Sequence, residues 1–211
     1  MAQSPQPYPT NLAIDYPDGR RNRLTSFFRF FTAIPILIIV GLFIGANQTW
    51  SQGNLLYQTA YGASFIVAPT VLMLLFRYKY PRWWFDFNLN LTKFVVRVAA
   101  YLDLLRDEYP STDEEQSVHV DIPYPDAKKD LKRWLPLFKW IMAIPHIIVL
   151  VFLYIGAAVV SVIAWFAILF TGRYPKGLWE FVVGVHRWNL RVIAYAFVLA
   201  TDKYPPFRLS P

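Results

Sequence analysis

The 211-residue chain contains no cysteine. That absence removes disulfides, thiolate metal sites, iron–sulfur clusters, thiol catalysis and palmitoyl anchors together. It has only three histidines, His119, His146 and His186, and no two have the spacing of a metal site. No Gly-rich phosphate loop, Gly-x-Ser-x-Gly elbow or His-Glu-x-x-His occurs, so the common catalytic motifs are missing. Charged residues make up 17% of the chain, against roughly 25% for a soluble domain. Two windows hold none at all: 47 consecutive residues between Arg29 and Arg77, and 33 between Lys139 and Arg173. Without a carboxylate or amine there, coupled transport and intramembrane catalysis have no visible relay.

The residues that fill these windows are apolar. The chain is 55% hydrophobic and 18% aromatic, with a mean hydropathy of +0.30. A bilayer core about 30 Å thick needs roughly 20 apolar residues per helix. The first window predicts two spans, Phe30 to Gly45 and Thr59 to Phe76, around the polar loop Asn47 to Asn54. The second, Ile141 to Phe170, predicts two shorter arms that turn near Tyr154-Ile155-Gly156. Trp134 and Trp140 would lie in the headgroup belt, with Lys139 snorkelling. All 21 Lys and Arg fall outside the windows, so the positive-inside rule sends both hairpin tips away from the cytoplasm and keeps both termini in it. The first 19 residues lack the order of a signal peptide; Arg20-Arg21-Asn22-Arg23 instead anchors the first span. The net charge of +7 therefore reads as membrane topology, with no nucleic acid partner.

The chain also repeats itself. Tyr16-Pro17-Asp18 recurs as Tyr124-Pro125-Asp126, Ala33-Ile34-Pro35 as Ala143-Ile144-Pro145, and Arg77 to Pro81 as the shorter Arg173-Tyr174-Pro175. A constant offset of 94 then pairs Asp86 with Glu180, Lys93 with Arg187, Arg97 with Arg191 and Tyr101 with Tyr195. Two units follow, residues 1–110 and 111–211, each a hairpin followed by an amphipathic helix. The fold class expected is an all-α integral membrane protein with four transmembrane helices in two tandem hairpins. Two alternating stretches, Leu12 to Tyr16 and Val118 to Ile122, predict a small two-stranded cytoplasmic ribbon joining the units.

In each post-hairpin helix basic residues recur every three or four positions beside large aromatics, the pattern of a helix lying in the membrane interface. A helix packed on its repeat mate or on a partner subunit is the alternative. Lys93, Arg97 and Tyr101, with Arg187, Arg191 and Tyr195, are candidates to grip a lipid phosphate or a partner's carboxylate. Trp83, Trp84, Trp179 and Trp188 are the candidate contacts to a partner protein. The junction Asp107 to Asp126 carries seven acids and no base, so the remaining surface is strongly basic and suited to anionic lipid. His146, inside the third span where the first unit has Ile36, could ligate haem or a pigment, or bond a backbone carbonyl. No catalytic residue, no metal and no tightly held cofactor is expected, apart from bound phospholipid.

Tyr-Pro, Ala-Ile-Pro, a hairpin, Arg-Tyr-Pro, then Phe181-Val182-Val183-Gly184-Val185-His186-Arg187-Trp188-Asn189-Leu190-Arg191 and a close on Asp202-Lys203-Tyr204-Pro205-Pro206-Phe207 together resemble a bacterial multi-span membrane family labelled only as a domain of unknown function. Arg173 to Phe207 is the most specific stretch. The resemblance implies a duplicated protein of the bacterial cytoplasmic membrane and brings no activity. The function expected is a non-enzymatic accessory or scaffold subunit of a larger membrane complex, with membrane shaping or a lipid- or pigment-binding carrier as alternatives.

Overall fold

The computed structural model of the protein describes residues 8–17, 19–44, 66–112 and 114–211. The loop expected at Asn47 to Asn54, the start of the second span at Thr59 and Asp18 of the first Tyr-Pro-Asp lie outside the described residues. The elements are β1 (Asn11–Ile14), α1 (Arg23–Phe27), α2 (Arg29–Ile44), α3 (Ile66–Arg77), α4 (Arg82–Leu102), β2 (Val118–Asp121), α5 (Pro136–Thr171) and α6 (Lys176–Ala196). The described residues are mostly helical, with one small sheet.

The expected ribbon is present. β1 and β2 pair antiparallel, with Leu12 opposite Val120 and Ile14 opposite Val118. These four side chains are buried while Ala13, His119 and Asp121 face outward, as strand alternation demands. β1, from the first unit, packs on α6 of the second, and β2 packs on α4 of the first. Each strand thus covers the other unit's helix.

The second hairpin does not form. Residues 136–171 make one continuous helix, and there is no turn at Gly156. An isolated glycine costs a helix only about 1 kcal/mol, and here it lies under the Phe181 ring, which a Cβ would meet at an ordinary 3.6 Å. The helix ends instead at Gly172, whose φ of 73° forms a left-handed cap. Four transmembrane helices are therefore not supported. Among the described residues α5 is the one helix long and apolar enough to cross a membrane; Arg29–Gly41 and Ile66–Arg77 are shorter apolar helices.

α4 and α6 match in length and start. Each follows a proline in extended conformation, Pro81 or Pro175, and each runs 21 residues. Their environments differ from the expected interfacial one. α6 is buried on nearly every side between α5 and β1, so it does not lie on a lipid surface; α4 is buried along about half its circumference. The cause is that the arginines of α6 find backbone carbonyls inside the protein and need no water.

Candidate functional site

Two related ion pairs organise the units. At the start of α2, Arg29 reaches Asp107 at 2.5 Å, donates to the carbonyls of Tyr101 and Arg106 at 2.6 Å, and lies 4.2 Å above the Tyr101 ring. Arg21 adds a second bond to Asp107 at 2.7 Å. At the start of α5, Lys139 reaches Asp202 at 2.8 Å, donates to the Thr201 carbonyl at 2.7 Å, and lies 5.1 Å from the Tyr195 ring. Lys139 was expected to snorkel; its side chain is instead fully enclosed. Each Asp is brought back to its cation by a bend just after the helix, where Leu104 (φ 60°) and Leu199 (φ 58°) adopt left-handed backbone. For a non-glycine residue this conformation costs about 1–2 kcal/mol. Burial of both leucines and the bond from Arg21 to the Leu104 carbonyl hold it.

The Arg–Tyr pairs picked out by their spacing do not act together. Tyr101 bonds Thr32 at 2.7 Å and Tyr195 bonds the Met142 sulfur at 3.3 Å. Arg97 donates to the Ser111 carbonyl at 2.7 Å, and Arg191 to the carbonyls of Arg208 and Ser210 at 3.1 and 2.6 Å. Arg187 donates to the Leu12 and Leu209 carbonyls. These arginines therefore clamp the segments that follow each Tyr-Pro. Burial pushes the Arg191 guanidinium down to about 10, and the nearby Arg208 and Arg187 add to the shift. Lys93 is half-buried on α4. Of the four tryptophans, Trp179 and Trp188 are buried and Trp84 is half-buried, donating to Thr70 at 2.7 Å; Trp83 is 69% exposed.

His146 has no exposed surface. Its Nδ1 accepts from the Trp188 indole at 3.0 Å, which leaves the proton of a neutral ring on Nε2. Phe207 stacks on the ring at 3.9 Å and Tyr204 lies at 4.8 Å. Nε2 is enclosed, so a haem or pigment ligated by His146 would have to open this packing.

A third cluster carried no duplicated signal. Asp103, at the end of α4, bonds His186 of α6 at 2.6 Å and receives a bond from Ser161 of α5 at 3.1 Å. The other unit has Thr92 in place of His186 at the offset of 94; that departure was the available sequence signal. Because the carboxylate stands between imidazole and hydroxyl, His186 has no reach to activate Ser161 as a nucleophile. The cluster opens on a cleft of about 450 Å³ between α2 and α5, walled by Phe30, Leu102, Val162, Trp165 and Phe166. Such a cleft suits an apolar chain. Among the described residues no group of three or more His, Asp and Glu could hold a metal ion.

Residues 133–208 match a family model described as Domain of unknown function (DUF4389). The DUF4389 segment starts just before α5 and contains α5, α6, the Lys139–Asp202 pair and the aromatic box around His146. No curated protein and no solved structure matches the chain.

Proposed function

We propose that the protein is a non-enzymatic membrane protein whose work is binding: an accessory or scaffold subunit of a larger complex in the bacterial cytoplasmic membrane, with anionic lipid around it and both termini in the cytoplasm. The supporting observation is a division of surface. The buried ionisable groups Arg29, Lys139, His186 and Arg191 are bonded to carboxylates or carbonyls within the protein. The helices α2 and α5, by contrast, bury one stripe each, at Arg29, Ala33 and Ile36 or at Lys139, Ala143, His146, Leu150, Ala157, Ala164 and Ile168, and present most of their other described apolar side chains to the outside. Exposed apolar area of this extent marks a lipid or protein contact. Trp83 and Phe76 are the exposed aromatics flanking the α3–α4 turn, and aromatics of that kind anchor protein interfaces. Gentle extraction followed by native electrophoresis tests the reading. The wild type should migrate with a companion, and Trp83→Ala with Phe76→Ala should release it. A wild type that runs alone overturns the accessory role. A second reading, a carrier of an amphiphile, has the α2–α5 cleft in its favour; mass spectrometry of co-extracted lipid separates the two.

A further inference from the structure

We infer that α5 lies in the plane of the membrane, with its outer face in one leaflet, and does not cross the bilayer. The inference rests on the membrane reading above and adds an orientation to it. Length is the first argument. Thirty-six residues at about 1.5 Å each make a rod of about 54 Å, against a hydrocarbon core of about 30 Å. To fit by tilting, the rod would need an angle of about 55°, beyond the roughly 40° limit of spanning helices.

Charge is the second. Lys128, Lys129, Lys132 and Arg133 precede the helix. At its far end Arg23 donates to the Phe170 carbonyl at 3.2 Å, the Arg21 amide donates to the Gly172 carbonyl at 2.8 Å, and Arg173 follows directly. Basic clusters mark the cytoplasmic side, so both ends belong on that side. With no turn between them, a helix whose two ends share one side must lie flat.

The third argument is the layer order. α6 runs back along α5, with Trp188 against His146, His186 against Tyr154, and Phe181 at Gly156. On its other side α6 carries the ribbon, held by Arg187 to the Leu12 carbonyl at 3.2 Å. The ribbon exposes Asp15, His119 and Asp121, so these groups sit behind the middle of α5. A crossing helix would carry them to the centre of the bilayer, where each charge costs several kcal/mol. A flat helix leaves them in water. The face of α5 turned away from α6 presents Ile141, Ile148, Phe152, Ile155, Val159 and Phe166, all largely exposed, and one apolar stripe of this kind inserts about 5–10 Å into a leaflet. Trp134 and Trp140, exposed at the near end, sit at headgroup level.

The cysteine-free chain lets single cysteines report orientation. Lys129→Cys and Lys176→Cys, at exposed positions flanking the two ends, should react with a membrane-impermeant maleimide from the same side, compared in right-side-out and inverted vesicles. Nitroxides at Ile141, Ile148, Ile155 and Phe166 in phosphatidylglycerol–phosphatidylethanolamine vesicles should show one shallow depth with no trend along the helix. Labelling from opposite sides, or a depth maximum near Ile155, overturns the flat orientation and leaves the membrane reading standing. Full water access at all four sites, with release of the protein by carbonate, overturns both.

Discussion

The Lys139–Asp202 pair makes a quantitative claim about what holds the second unit together. Lys139 has no exposed side-chain surface and Asp202 is only 15% exposed, so Asp202→Ala strands an ammonium in the interior. Removing one partner of a buried pair costs about 3–5 kcal/mol. Lys139 keeps the Thr201 carbonyl at 2.7 Å and the Tyr195 ring at 5.1 Å, which favours the lower end. Asp202 also accepts from the Lys132 amide at 2.6 Å, a bond lost in the same substitution and worth about 1.5–3 kcal/mol because its acceptor is charged. The sum of the lower values is about 4.5 kcal/mol, or about 9–18 °C in Tm for a chain of this size. Lys139→Met combined with Asp202→Leu removes both charges and should recover at least half of the loss, since a well-packed apolar pair replaces a buried ion pair at little cost. Tryptophan fluorescence melts in mild detergent read both values. A drop below about 2 °C for Asp202→Ala, or a double variant no better than the single, would refute the assignment of this pair as an interior strut.

Three further outcomes follow from the packing. Gly156→Ala should raise Tm slightly, because its Cβ meets the Phe181 ring at an ordinary 3.6 Å while helix propensity improves by about 1 kcal/mol; a fall in Tm on the same melts would count against the continuous α5. Gly184→Ala should do the opposite. Its Cβ would stand 2.9 Å from the Leu209 side chain and 3.2 Å from the Leu209 carbonyl, so the tail must lift, at about 1–3 kcal/mol, and limited proteolysis should trim the C-terminus faster. For Glu108, burial pushes the carboxyl up, but the bonds from Ser117 and Arg106 outweigh it and hold the group at about 2. A depressed carboxyl stabilises the fold above its unfolded value near about 4.3 and loses that contribution as pH falls toward 2. The Tm gap between wild type and Glu108→Gln should therefore be full at pH 6 and shrink to a small remainder by pH 2, where the folded carboxyl is half protonated; a gap undiminished at pH 2 contradicts the mechanism.

What the sequence disclosed and what it hid divide along physical lines. The ribbon was legible because strand alternation at Leu12, Ile14, Val118 and Val120 has only one burial solution. The helices α4 and α6 were legible from their periodicity, but their surroundings were not: a backbone carbonyl satisfies Arg187 or Arg191 as water does, and the three-to-four spacing is the same in both cases. The turn expected at Gly156 does not form: a charge-free window of 33 residues is compatible with one long helix or two short ones, and a lone glycine is tolerated inside a helix as well as at a turn. The Arg29–Asp107 and Lys139–Asp202 pairs escaped notice because their partners lie 78 and 63 positions apart. Their repetition was nevertheless present, since a cation precedes each Ala-Ile-Pro by four residues and an Asp precedes each closing Tyr-Pro by two.

The crossed placement of the strands bears on folding order. β1 lies on α6 and β2 on α4, so each half of the chain supplies the strand that packs on the other half's amphipathic helix. β1 therefore cannot reach its place until α6 has been synthesised, and the face it buries at Leu12 and Ile14 is covered only then.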